Sequence, residues 1–125
     1  MAIKVIHRDQ PAARVPMISK DARFLVGPGT GAHAITMNYV ILEPGEGNIP
    51  HSHPESEDVV FAIGGEGSAE NHSTGQSSTF HAGETVFIPP GVVHAIVANR
   101  GQRIESVGGP TPPDLNMLRR AGIEI

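Results

Sequence analysis

Residues 44–67 read PGEGNIPHSHPESEDVVFAIGGEG and residues 83–99 read GETVFIPPGVVHAIVAN. Each block joins Gly- and Pro-rich turns to an apolar run of strand length, and the histidines fall at the joints. His51 and His53 are two residues apart, and in an extended segment residues i and i+2 share a face, where two imidazoles can ligate one ion. Pro50 and Pro54 bracket the pair. Because Pro is tolerated in strands only at edges, ends or bulges, this segment is expected at a rim. Glu55, Glu57 and Asp58 follow as oxygen donors; alternation admits Glu55 or Glu57 and disfavours Asp58. His94, just past the turn at Pro89-Pro90-Gly91, offers a third nitrogen. A His-x-His pair on its own is more often two solvated side chains on a surface strand. The neighbouring acids and the distant His94 are donors that could complete a mixed nitrogen and oxygen shell.

Outward from these blocks the chain continues as short strands. Phe24–Val26 is closed by Gly27-Pro28-Gly29, and Ala34–Leu42 carries Ile35, Met37, Tyr39 and Ile41 at a spacing of two, the period of a strand with one buried face. Val59–Ile63 ends at Gly64-Gly65, and Ser68–His72 and Ser77–His81 flank Ser73-Thr74-Gly75-Gln76 as the arms of a hairpin. Thr85–Ile88, Val93–Ala98 and Arg103–Val107 complete the set. The tail differs: Thr111 reads as a helix N-cap with Pro112 in the first turn, so a helix is expected over about 112–121, burying Leu115 and Leu118 before Gly122 stops it.

Composition agrees with an all-β chain. Its 125 residues suit a single domain spanning 1–125, and 15 Gly with 11 Pro make it turn-rich. The absence of cysteine excludes thiol catalysis and cysteine-ligated zinc or iron–sulfur sites. A formal charge of −4, nine scattered Lys plus Arg and 4% aromatic residues provide neither a basic face nor a stacking platform, so no nucleic-acid partner is expected. No uncharged apolar run is long enough for a membrane span or a leader, so no membrane association is expected and the protein reads as soluble and cytoplasmic.

Together the two blocks resemble the paired signature motifs of the cupin superfamily. The first asks for Gly, five residues, His, one, His, three, Glu, six, Gly, and Gly45, His51, His53, Glu57 and Gly64 fill it. The second asks for Gly, five residues, Pro, one, Gly, two, His, three, Asn; Gly83, Pro89, Gly91 and His94 fit, while Ala98 takes the last place and Asn99 stands one position late. A shifted or bulged turn is expected there. The resemblance implies a double-stranded β-helix, a jelly-roll barrel over about 34–107 with a short C-terminal helix, in which His51, His53, Glu57 and His94 hold one divalent ion. Three imidazoles and a carboxylate suit Mn, Fe, Ni, Zn or Cu better than Ca or Mg, and four protein ligands leave positions open for water or substrate.

The function implied is a metal-dependent enzyme acting on a small polar molecule, with oxygenase, isomerase, lyase and hydrolase chemistry not distinguished. The alternative is a non-catalytic module that binds or senses a small ligand. Tyr39, Met37, Phe61 and Phe87 are candidate pocket walls, although apolar strand residues are more often plain core. Glu55 and Asp58 are candidate hydrogen-bond partners of the ligands or general bases. His7, His33, His72 and His81 lack partners at ligand spacing and read as structural or surface residues. Small members of this family commonly pair through their sheets, which implies a homodimer, with Phe24–Val26 covering a neighbour's edge. Metal affinity is expected to fall by up to about a thousandfold per pH unit once all three histidines titrate.

Overall fold

Turn residues cut the chain much as the sequence suggests. The computed structural model describes residues 2–125, and among them the strands are β1 Ala13–Arg14, β2 Asp21–Val26, β3 Met37–Leu42, β4 Asp58–Gly64 and β5 Glu66–Asn71, then β6 Ser77–His81, β7 Thr85–Ile88, β8 His94–Ala98 and β9 Ile104–Gly108, followed by the helix α1 Leu115–Arg120. A six-stranded sheet runs β1-β2-β3-β9-β4-β7 and a three-stranded sheet runs β6-β5-β8, each ladder antiparallel. This is a double-stranded β-helix of jelly-roll type with a short C-terminal helix. It is not a closed barrel. Among the described residues no ladder joins the two sheets, and the segment before β4 meets β8 through the isolated bridges Gly47–Val97 and His51–His94 and through the Ile96 N–H, which donates to Asn48 Oδ1 at 3.0 Å.

Between the sheets lies one core, with Leu42, Ala62 and Ile104 from the larger sheet meeting Phe80, Ile96 and Ala98 from the smaller. A second core joins Val15, Ile18, Ala22 and Phe24 to Met117 and Leu118 of α1. Phe24, 0% exposed, is buried inside its own chain, and β2 lies between β1 and β3 in the larger sheet. Sheet packing is tight where β9 passes β4: a Cβ on Gly108 would lie 1.8 Å from the Val59 carbonyl oxygen, so only glycine fits.

Two local expectations are corrected. The helix begins later than Pro112, because the side chain of Asp114, not Thr111, accepts the N–H of Met117 at 3.1 Å as N-cap. Thr111 instead exchanges main-chain bonds with Glu57. The helix buries Met117 with Leu118, while Leu115 is 39% exposed. The expected bulge near Asn99 is also missing. β8 pairs with β5 in unbroken register through Ala98, and Asn99 opens the following turn by accepting the Gln102 N–H. No helix among the described residues is long and apolar enough to cross a membrane.

Candidate metal centre

His51, His53 and His94 converge. One ring nitrogen from each lies within 4.8 Å of the others. Two backbone features bring them there. His51 and His94 sit opposite each other in an antiparallel bridge, with N–H to carbonyl distances of 3.1 and 2.9 Å, so their rings fall on one face at 4.5 Å between centroids. Gly91, at a φ of 78° that favours glycine, donates its N–H to the carbonyl of His53 at 3.0 Å and so holds the turn before β8 against the His53 loop.

Each ring has its Nδ1 engaged. His51 Nδ1 donates to the Ile49 carbonyl at 2.6 Å, His94 Nδ1 to the Val92 carbonyl at 2.8 Å, and His53 Nδ1 to Asp114 Oδ2 at 2.9 Å. A carbonyl can only accept, so the proton of neutral His51 and His94 resides on Nδ1 and the Nε2 lone pair is free. Asp58 completes the cluster: its Oδ2 lies 3.3 Å from His53 Nε2 and 3.8 Å from His94 Nε2, and its Oδ1 is buried without any partner. Burial pushes the His51 imidazole down to about 4 and that of His94 down as well. Burial also opposes charge on His53, but hydrogen bonds to Asp58 and Asp114, with the charges of both, outweigh it and leave His53 raised.

Glu57 does not join this group. It is exposed, and its main chain is tied to Thr111, whereas Asp58, Val60 and Ala62 take the inward face of β4. The acid at the site is thus one residue later than the motif spacing expects. Adjacent doublets explain the difference: Glu57 to Gly64 and Asp58 to Gly65 have the same spacing, and a one-residue slip in a strand exchanges its faces. Glu55 is exposed at the rim, and His7, His33, His72 and His81 are all exposed and outside the cluster.

A narrow cavity of about 40 Å³ opens beside the histidines, lined by Ile18, Val40, Leu42, Val60 and Ile96 and by the amide of Asn38, whose Oδ1 is buried and unpartnered. None of the four expected pocket walls lines it. β3 is covered on both faces, so Asn38, Val40 and Leu42 face the cavity while Tyr39 lies on the other side and donates to Glu105. Met37, Phe61 and Phe87 are exposed. Three converging imidazoles, two of them with a free Nε2 and the third with its Nε2 facing the buried Asp58 carboxylate, fit a divalent metal ion.

The chain is similar to known proteins in sequence and in fold. Residues 38–106, more than half of the chain, match the family described as Cupin domain. Oxalate oxidase GF-2.8 of Triticum aestivum is 36% identical over 73 residues, 54% of this chain and 33% of that protein. Germin-like protein subfamily T member 2 of Arabidopsis thaliana is 36% identical over 76 residues, 58% of this chain and 34% of that one, so the match spans about a third of these relatives. Among solved structures, the polyketide cyclase RemF from Streptomyces resistomycificus has a TM-score of 0.70 at 25% identity, covering 90% of this chain and 83% of its own. A Cupin 2 conserved barrel domain protein from Salinispora arenicola has a TM-score of 0.65 at 22% identity, covering 98% and 96%, a likeness of fold. With its two histidine-bearing blocks, its jelly-roll sheets and this family match, the chain belongs to the cupin superfamily.

Proposed function

We propose that this cupin is an enzyme that uses one divalent transition-metal ion, held by His51, His53, His94 and Asp58, to act on a small molecule entering the cavity beside them. The observation that carries this reading is the convergence of three imidazoles, each with its Nδ1 engaged, beside the buried Asp58 carboxylate, whose Oδ2 lies 3.3 and 3.8 Å from the Nε2 atoms of His53 and His94 and whose Oδ1 has no partner. Bound there, a metal would supply Lewis-acid or redox activation of a ligand oxygen. The chain's own residues do the rest. Val40, Leu42, Val60 and Ile96 keep water from the inner wall, and the Asn38 amide offers a buried hydrogen-bonding group to orient a polar substituent. The cavity admits a head group only a few water molecules in size.

Two enzymes among the similar proteins support a catalytic role, an oxalate oxidase over a third of its length and a polyketide cyclase over most of its fold. The test is to purify the protein without a metal-affinity step, measure its metal content, and assay oxygen uptake with oxalate, catechols, thiols and keto acids. About one ion per chain with turnover of any substrate is expected. Stoichiometric metal with tight ligand binding but no turnover would replace the enzyme reading with that of a binding module.

The homodimer is part of the same proposal. On the outer face of the larger sheet Val59 lies opposite Phe87 and, with Phe61 and Ile63, leaves a contiguous apolar patch in which each residue is 41–56% exposed. An uncharged apolar face is complementary to its own copy, as two-fold pairing requires, and a patch of this kind marks an interface. Sedimentation of the wild type as a dimer and of Phe61→Glu as a folded monomer is expected; a monomeric wild type would overturn the pairing.

A further inference from the structure

The grip on His53 differs from the grip on the other two histidines. Main-chain carbonyls two residues away hold His51 and His94, whereas His53 is held by a side chain 61 residues further along, at the cap of α1. Asp114 divides its oxygens: Oδ2 accepts from His53 Nδ1 at 2.9 Å, and Oδ1 accepts the N–H of Met117 at 3.1 Å. The approach is built in. Glu57 and Thr111 exchange main-chain bonds of 3.1 and 2.8 Å, and Ser56 Oγ donates to the Pro112 carbonyl, so the loop carrying His53 is tied to the segment leading into α1. His53 and Asp114 side chains are 2% and 13% exposed, so water competes little for the bond.

We infer that Asp114 is a positioning residue of the metal centre: it holds His53 as the Nδ1–H tautomer with Nε2 directed at His51, His94 and Asp58, and makes the start of α1 part of the site. The inference rests on the metal reading above. Its physical basis is a competition for one proton. Asp58 Oδ2 lies 3.3 Å from His53 Nε2, so without the acceptor at Nδ1 the remaining acceptor draws the proton to Nε2, the atom a metal needs. One carboxylate thus serves the helix and the histidine together, and ordering of α1 and metal binding favour each other.

Asp114→Ser and Asp114→Asn separate the two roles, because Ser and Asn cap helices about as well as Asp. Serine is too short to reach His53. Asparagine, with its oxygen on the Met117 N–H, turns an amide N–H₂ toward Nδ1, donor against donor. In metal-free protein at alkaline pH, ¹⁵N NMR of His53 should show Nδ1–H in the wild type and a shift toward Nε2–H in both variants. Zinc titration should show affinity weakened by about 10–100-fold, with circular dichroism unchanged. A wild-type protein that binds no zinc overturns the metal reading and this inference together. A zinc-binding wild type whose variants match it in affinity and tautomer overturns the inference alone.

Discussion

Asp58→Asn should lower the affinity for zinc or manganese by at least about a hundredfold, while Glu57→Gln should leave it unchanged. A hundredfold is the upper end of what removal of a ligand's hydrogen-bond partner costs, and removal of the ligand itself should cost no less. The two residues are neighbours in sequence and opposite in environment. Asp58 is 6% exposed, with one oxygen near two Nε2 atoms and the other without a partner; Glu57 is exposed and contributes to the fold through its main chain. The amide of Asn keeps the volume of the carboxylate, so the core is not emptied. Titration of the metal-free variants with zinc measures the effect. Loss of metal in Glu57→Gln with retention in Asp58→Asn would restore the carboxylate that motif spacing selects.

The pH profile of metal binding should steepen in stages as the pH falls, with the full three-histidine slope reached only in acid. Each proton that a metal must displace costs about tenfold in affinity for every pH unit below that group's metal-free pKa. His53, raised by Asp58 and Asp114 against the effect of burial, holds its proton to higher pH than a free histidine and competes first. His94, lowered by burial, joins later, and His51 adds its proton only near pH 4, the value to which burial takes it. Between about pH 7 and pH 5 the affinity should therefore fall by about ten- to a hundredfold per unit, not by the thousandfold of three histidines titrating together. Calorimetric titration in non-chelating buffers over that range would show it. A thousandfold slope already at pH 6 would mean that the three imidazoles are equivalent and solvated, against their burial in the structure.

The strands were legible because Gly and Pro punctuate this chain so regularly: the strands Ser77–His81 and Thr85–Ile88 fall where the sequence puts them. The three histidines were legible too, since a two-residue spacing and a turn-anchored partner are local signals. What local signals do not carry is the choice of face. In β3 both faces are covered, so the apolar alternation of Met37, Tyr39 and Ile41 says nothing about which one lines the cavity, and it is the other, led by a polar Asn38, that does. The acid was displaced by one residue because paired acids and paired glycines fit either register. Asp114 carried a signal only as an acid at a helix start: that role is local, but its bond to His53 exists only once α1 packs against β2 and its flanking loop.

Asp58 opens a strand of the larger sheet and His94 opens a strand of the smaller, and among the described residues no ladder fixes the distance between those sheets. That distance is set by Leu42, Ala62 and Ile104 packing against Phe80, Ile96 and Ala98. On the proposed metal reading, the span across which the carboxylate and imidazole must reach a shared ion therefore depends on the volume of core side chains such as Phe80 and Ala62, which do not line the cavity beside the histidines. Phe80→Leu would thin the sandwich and Ala62→Val would thicken it, and each would retune which ionic radius the site prefers. If the site holds the proposed ion, metal selectivity would in that sense be a property of the core, open to change by substitutions away from the donor atoms.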